Sequence, residues 1–260
     1  MVDHYAKTIS PEDLVPLNLF TKDYPVIIDI VYAKQDHKDN YFEQLYHRDS
    51  CIMWAHKDIA VITLLAAKIV YKLYGWILKI NDSLRTVQAQ QKMTAYSANI
   101  DASLLSKPGQ GAHPRAMAID IEPIDQSGTP VNMGTAFDHF TADVKKDGNP
   151  AARNFTNFKL PLQQCEQIWN NRSRLEFAMR QAATLSGQTI LPLPQEWWDF
   201  RFSADIWQEY APLNENDLPA YQRLLEPDID ICRQILNGER PELTASGIAY
   251  IKDKISKVTI

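Results

Sequence analysis

The sequence contains little cysteine and no excess of basic charge. Its 260 residues include three cysteines, Cys51, Cys165 and Cys232, which lie far apart and form no CxxC pair. An odd number of unclustered cysteines predicts reduced, buried thiols rather than a disulfide framework or a cysteine zinc site. Lys and Arg number 27 against 32 Asp and Glu, and the two signs are interleaved. Because phosphate binding needs a concentrated basic surface, we expect no nucleic-acid partner.

The sequence also lacks a run that is apolar enough to span a membrane. In the most apolar stretch, residues 58–80, three lysines (Lys68, Lys72 and Lys79) and Gly75 interrupt the pattern. A transmembrane helix needs about 20 predominantly apolar residues. The start of the chain carries acidic residues and prolines where a signal peptide would have a basic end and an apolar run. We therefore expect a cytoplasmic protein without a membrane span.

Helices and strands are predicted to alternate irregularly along the chain. Apolar residues recur at helical spacing over about residues 50–74, where Gly75 fits a helix end, and over about residues 163–185. A polar, amphipathic helix is predicted over residues 86–100. The predicted strands are residues 24–33, 76–82 and 117–122, with a last strand near residue 200.

This alternation favours the α+β class, with a small antiparallel sheet flanked by helices and a cleft on the sheet. Hydrophobic residues make up 45% of the chain, which is enough for a sizeable core. We expect residues 1–207 to form one domain and residues 208–260 a helical C-terminal extension packed on it. The clearest helical pieces of that extension are predicted at residues 217–226 and 228–236.

A histidine and an aspartate stand seven positions apart in the segment GAHPRAMAID, residues 111–120. The alternating apolar residues of 117–121 suit a core face, so Asp120 on the opposite face would point toward a cleft. His113 precedes the strand, and a bend near Pro114 is needed for the two side chains to converge. They are either two ligands of one metal or a solvated loop histidine beside an ordinary strand carboxylate.

Three further segments each allow a structural and a chemical interpretation. In QEWWDFRF, residues 195–202, paired tryptophans are typical of a core. Glu196 and Asp199 beside them would be rim charges, or a general base and a metal ligand. Arg85 in INDSLRTVQ would be a surface residue or would stabilise an oxyanion. Asp138 in VNMGTAFDHF would cap a turn or hold a cationic amine.

Together these segments resemble the zinc D-alanyl-D-alanine dipeptidases, the family best known from vancomycin resistance, whose wider group includes D,D-carboxypeptidases. The family motif reads SxHxxGxAxD, then MGxxFD, then ExWH, after an arginine segment. The chain carries MGTAFD at residues 133–138 and EWW at residues 196–198. DIVYAKQDHKDNYF is similar to the family's early tyrosine segment, which makes Tyr32 a candidate for the pocket. The resemblance covers roughly residues 25–205.

The resemblance implies a metal-dependent dipeptidase that hydrolyses D-Ala-D-Ala, or a similar small D-amino-acid dipeptide, in peptidoglycan turnover. His113 and Asp120 would be ligands of Zn²⁺, and Glu196 would be the catalytic base. Arg85 would stabilise the charge on the scissile carbonyl oxygen, and Asp138 would pair with the amino group of the substrate. The metal would polarise the carbonyl and lower the pKa of water.

The chain departs from the family pattern at four positions. Asp199 stands where the family has its third metal-ligating histidine, Gly111 where it has serine, Ala116 where it has glycine and Thr86 where it has proline. A carboxylate ligand lowers the positive charge of the centre and favours harder ions such as Mn²⁺. Asp199 would bind the metal, or His139 would replace it, or the protein would be a weakened or inactive peptide-binding relative. A D,D-carboxypeptidase acting on longer muropeptides is a further alternative.

Overall fold

The computed structural model describes residues 5–96 and 99–259. Its strands are β1 (Leu14–Pro16), β2 (Val26–Ile28), β3 (Trp54–His56), β4 (Ile77–Asp82), β5 (Ala118–Ile124), β6 (Leu191–Pro192) and β7 (Asp199–Arg201). Five of them form one sheet in the order β2-β4-β5-β7-β6, and β1 pairs with β3 separately. β2 runs parallel to β4, whereas the β4–β5, β5–β7 and β6–β7 pairs are antiparallel. The sheet that was expected to be antiparallel is therefore mixed.

The helices lie on and around this sheet. They are α1 (Lys57–Tyr74), α2 (Val87–Ala95), α3 (Val144–Asp147), α4 (Leu162–Leu185), α5 (Ala204–Trp207), α6 (Ile229–Leu236) and α7 (Ala245–Ser256). α1 is buried along most of its length and packs against α4, α7, β4 and β5. Helix α1 ends where predicted, because Gly75 adopts φ +71° and its N–H closes the last turn. The expected α+β class and the helical C-terminal region are confirmed.

Three predicted elements are shorter than the sequence pattern suggested. The predicted strand at residues 24–33 ends at Ile28, and a 3-10 turn follows at Val31–Ala33. The first helix begins at Lys57 because the residues before it pair with β1, and the His56 ring accepts the N–H of Asp58 at the N-cap. Of the helix predicted over residues 86–100, α2 forms the first part, and residues 97–98 lie outside the described residues.

The predicted helical piece at residues 217–226 is wrong. Among the described residues it contains no α-helix, only the end of the 3-10 turn Glu215–Asp217 and the 3-10 turn Ala220–Gln222. Pro219 lies near the start of the segment and Pro227 directly follows it. A residue that precedes a proline is disfavoured in helical conformation. The following piece is confirmed as α6, which begins at the N-cap Asp228. The expected division of the chain at residue 207 stays a prediction.

Candidate metal centre and active site

Three neighbouring strands place an aspartate at the same level of the sheet. Asp82 at the end of β4 pairs in register with Asp120 of β5, and Asp120 pairs with Asp199 of β7. A bulge in β4 just before Asp82 interrupts the regular register. Bulges re-aim side chains and are frequent beside active sites. All three carboxylates are buried, so the sheet gathers negative charge that needs a positive partner.

The bend that the sequence predicts near Pro114 is present and brings His113 to these carboxylates. Residues His113–Arg115 form a 3-10 turn that ends at Ala116 in a left-handed conformation, φ 52°. The His113 Nδ1 atom lies 2.7 Å from the carbonyl oxygen of Ser83. This contact assigns the ring proton to Nδ1, where a backbone carbonyl commonly orients a metal-ligating histidine. Nε2 is then the atom that faces the carboxylates.

The atoms around Nε2 have the spacing of ligands that share one ion. Nε2 of His113 lies 3.4 Å from Oδ1 of Asp120 and 3.3 Å from Oδ2 of Asp199. Tetrahedral ligands with bonds of about 2.0–2.2 Å lie about 3.3–3.6 Å apart. Oδ1 of Asp120 is moreover buried with no hydrogen-bond partner. A buried, unpaired carboxylate oxygen beside an imidazole nitrogen fits a divalent cation.

Asp82 is the residue of the site that the sequence analysis missed. Asp82, His113 and Asp120 form a buried group that could hold a metal ion. Oδ2 of Asp82 lies 3.5 Å from Nδ1 of His113 and accepts a hydrogen bond from Nε of Arg85 at 2.8 Å. Its other oxygen accepts the Tyr46 hydroxyl at 2.7 Å. Because Oδ2 of Asp82 lies beside Nδ1 of His113, which faces the Ser83 carbonyl, and not beside Nε2, we assign Asp82 chiefly to holding Arg85 and balancing its charge.

Asp199 does not stand alone at the third ligand position, because Arg201 binds it. Arg201 lies two residues further along β7, on the same face, and its Nε donates to Oδ1 of Asp199 at 2.8 Å. Its Nη2 donates to Oδ2, the oxygen that also faces His113. Burial would raise the pKa of Asp199, but the Arg201 charge outweighs burial and holds that pKa well below its usual range. An aspartate–arginine pair therefore occupies the position of the family's neutral histidine.

Arg85, Tyr32 and Asp138 meet on the same cavity. Nη2 of Arg85 lies 3.3 Å from Oδ2 of Asp120, while its Nη1 reaches only the thioether of Met93, a weak acceptor. The Arg85 guanidinium stacks over the Tyr32 ring at 5.1 Å. The Tyr32 hydroxyl donates to Oδ2 of Asp138 at 2.5 Å. Asp138 has a φ of 53°, a conformation that few residues other than glycine adopt and that clusters at functional sites.

Glu196 lines the cavity from the loop before β7. Burial, together with the charges of Asp199 and Asp120, raises the pKa of Glu196 to about 8. A carboxyl group with such a pKa exchanges protons near neutral pH, as a general acid–base requires. Trp197 and Trp198, which follow it, are fully buried core residues, as their pairing suggests.

The pKa values of the residues that line the cavity indicate that their side chains carry too little positive charge to balance the carboxylates. Burial lowers the pKa of His113, but the Asp120 charge and the Asp199 carboxylate, whose Oδ2 lies 3.3 Å from Nε2, outweigh it and raise that pKa to about 10. Burial also raises the pKa of Asp120, and it raises that of Asp138 well above the usual range. A divalent cation would replace these protons, because ligands bind metals in their deprotonated forms.

Gly111, Ala116 and His139 also bear on the comparison with the family pattern. Gly111 adopts φ +85°, which a serine would adopt only with strain. Ala116 adopts the left-handed conformation that a glycine would adopt freely. His139, considered as a replacement ligand, is half-buried and is not among the described residues that line the cavity.

In the C-terminal region, residues 210–215 (the 210–215 segment) contact both the segment that carries Arg85 and the segment that carries His113. The carbonyl of Leu213 accepts the N–H of Val87 at 3.0 Å, and its N–H donates to the carbonyl of Pro114 at 2.7 Å. One residue thus ties the arginine segment to the histidine segment.

A side-chain contact strengthens this link. The Thr86 hydroxyl donates to Oε1 of Glu215 at 2.7 Å. Glu215 is buried and also accepts the backbone N–H groups of Leu224 and Leu225. The position where the family has proline therefore carries a hydroxyl that bonds the C-terminal region. A proline could not make this contact, because it has no hydroxyl.

In the described part of the chain, no helix is long and apolar enough to cross a membrane. A scan against protein-family models finds no match, and a search of curated proteins finds no similar sequence. The likeness to the dipeptidases therefore stays a prediction from the motif residues of the sequence.

Proposed function

We propose that this protein is a metal-dependent dipeptidase that hydrolyses D-alanyl-D-alanine or a similar small D-amino-acid dipeptide in peptidoglycan turnover. The observation that carries the proposal is the position of His113 Nε2, which faces the unpaired Asp120 Oδ1 at 3.4 Å on a cavity that also holds a titratable carboxyl group. His113, Asp120 and Asp199 would hold the ion, with Asp82 behind them. When bound, Zn²⁺ or another divalent ion would polarise the scissile carbonyl and lower the pKa of water.

The residues of the chain would perform the remaining steps. Glu196 would take a proton from the attacking water and deliver it to the leaving amine, because it lines the same cavity as the candidate metal ligands. Arg85 would donate through Nη1 to the carbonyl oxygen, where negative charge develops. The Asp138 carboxylate, oriented by Tyr32, would accept the amino group of the substrate.

The experiment is an assay of D-alanine released from D-alanyl-D-alanine by the purified protein with added Zn²⁺, Mn²⁺ or Co²⁺. We expect turnover that depends on the ion and that Glu196→Gln lowers at least about 100-fold, because general acid–base groups contribute about that much. N-acetylated D-alanyl-D-alanine separates a dipeptidase from a carboxypeptidase, since only the latter accepts a blocked amine. Absence of turnover with every ion would exclude the enzyme.

One observation favours a second candidate, a peptide-binding relative without activity. Arg201 donates to both oxygens of Asp199, and a metal would have to share those oxygens with a cation. In that case calorimetry would detect dipeptide binding, whereas the release assay would detect no product with any ion.

A further inference from the structure

The absence of a side chain at Gly111 leaves a small space beside the cavity. A Cβ atom built there would lie 3.5 Å from Oγ of Ser106 and 3.6 Å from Nη1 of Arg201, with no backbone atom among its nearest neighbours. The two groups come from separate parts of the chain, the loop before the histidine segment and strand β7. Both groups therefore lie on the same side of Gly111, where they border the cavity and are available to a ligand.

Both polar groups have hydrogen-bonding capacity to spare. Arg201 uses Nε and Nη2 on Asp199, and among the described residues no hydrogen bond involves its Nη1. The Arg201 side chain is 12% exposed, so this nitrogen is held in place by its partner and borders the cavity. Ser106 is exposed, and its hydroxyl has no partner among the described residues. An Arg N–H can only donate, and a hydroxyl donates readily to an anion.

The surroundings fit the end of a small peptide. Ser106 and Arg201 border both the metal cavity and a second cavity beside it, together with Glu196. Leu105 and Leu193 line the same two cavities and offer apolar surface next to the donors. A donor pair beside leucine side chains suits a carboxylate that is attached to a small apolar residue, and it disfavours an ammonium group.

We propose that the cavity next to Gly111 binds a carboxylate oxygen of the substrate, with Ser106 Oγ and Arg201 Nη1 as donors. The inference rests on the proposed function for the identity of the substrate, a small peptide with a free C-terminal carboxylate. Arg201 would thus act in two ways, as counter-ion of Asp199 and as part of this subsite.

The test compares two probes, D-alanyl-D-alanine and its C-terminal amide, which lacks the negative charge. Their affinities are measured by calorimetry in buffer containing Zn²⁺, with the Glu196→Gln protein to slow turnover. We expect the acid to bind roughly tenfold more tightly than the amide, since a hydrogen bond to a charged group is worth about that factor. Ser106→Ala should remove most of this preference by weakening the acid alone. Ser256→Ala, at an exposed serine at the end of α7 that lines neither cavity, is the control and should leave both affinities unchanged.

Each other outcome overturns the subsite. Equal affinity for acid and amide, binding of neither probe, or the same loss in Ser256→Ala and Ser106→Ala would each contradict it. The melting temperature of each variant checks folding, and the exposed position of Ser106 tolerates alanine. If the preference for the acid is present and depends on Ser106, while the wild-type protein hydrolyses no dipeptide with any ion, the subsite stands and the proposed activity fails.

Discussion

Asp199 and Arg201 together decide the charge of the candidate metal centre. An aspartate in place of a histidine adds one negative charge and would weaken the polarising power of a bound ion. The guanidinium of Arg201 offsets that charge through two hydrogen bonds. The pair is neutral overall, as a histidine ligand would be. Asp199 considered alone predicts a larger loss of positive charge at the centre than the Asp199–Arg201 pair does.

This pairing changes what the substitution Asp199→His should do. The single variant leaves the Arg201 guanidinium, which is mostly buried, without its partner, and breaking a buried pair costs about 3–5 kcal/mol. We expect Asp199→His to lower the free energy of unfolding by roughly that amount in urea denaturation. The double variant with Arg201→Leu should recover most of the loss and bind Zn²⁺ more tightly than the wild type, as measured by competition with a coloured chelator.

One comparison of stabilities would contradict this prediction. If Asp199→His alone is as stable as the double variant, the ion pair does not hold the strand end, and the assigned counter-ion role of Arg201 is wrong.

Cys51 gives a second prediction at the residue scale. The three cysteines are unpaired, as the sequence predicted, but Cys51 is partly exposed whereas Cys165 and Cys232 are buried. A hydrogen bond with the Cys232 thiol and the charge of Arg233 outweigh burial and lower the pKa of Cys51 to about 7. The thiolate is the reactive form, so the rate of alkylation should rise with pH and level off above about 7.

The measurement is iodoacetamide labelling followed by mass spectrometry between pH 5 and 10. Cys232→Ala removes the hydrogen bond and should move the midpoint upward, toward that of an ordinary thiol. A midpoint near 9 in the wild-type protein would refute the assignment.

At the scale of elements, strand register explains why the sequence revealed part of the site and not all of it. The faces of β5 follow from alternation within one segment, so Asp120 could be assigned to the cleft. Asp82 joins it through pairing with a strand far away in sequence and through a bulge in β4, and neither can be read from local pattern. Arg201 lies two residues after Asp199 in the segment QEWWDFRF. Because residues two apart on a strand share a face, this spacing could have identified Arg201 as a neighbour of Asp199.

The contact between Thr86 and Glu215 predicts that the C-terminal region positions the site. Thr86→Val removes the hydroxyl but keeps the shape, which should cost about 1–2 kcal/mol of stability and weaken Zn²⁺ binding roughly tenfold, as losses behind a metal ligand commonly do. Thr86→Ser should restore both. Chemical denaturation and chelator competition provide the two readouts.

Tyr250→Phe is the matched control, because it removes a hydrogen bond of the C-terminal region to Asp58 on α1, in another part of the fold. It should lower stability without changing the affinity for Zn²⁺. Equal losses of affinity in Thr86→Val and Tyr250→Phe would mean that the 210–215 segment only packs on the fold.

At the scale of the whole molecule, one sheet separates an apolar side from a polar cavity. The long helix α1 packs on β4 and β5. The paired aspartates Asp82, Asp120 and Asp199 face the opposite side of the sheet. The sequence predicted the α+β class and most of helices α1 and α4, since periodicity and Gly75 mark them clearly. It failed at residues 217–226, where prolines and the Glu215 carboxylate organise the backbone without a helix. It also left open how the C-terminal region relates to the site, because hydrogen bonds such as that between Val87 and Leu213 join distant parts of the chain.

The central claim is that His113, Asp120 and their neighbours bind one divalent cation. Titration of the purified, chelator-treated protein with Zn²⁺, followed by calorimetry and elemental analysis after dialysis, tests it most directly. We predict one Zn²⁺ per chain in the wild-type protein and at least a 100-fold weaker affinity in His113→Asn, because the imidazole is a direct ligand and even outer partners cost about 10–100-fold. No bound Zn²⁺, or equal binding by the wild type and His113→Asn, would contradict the claim.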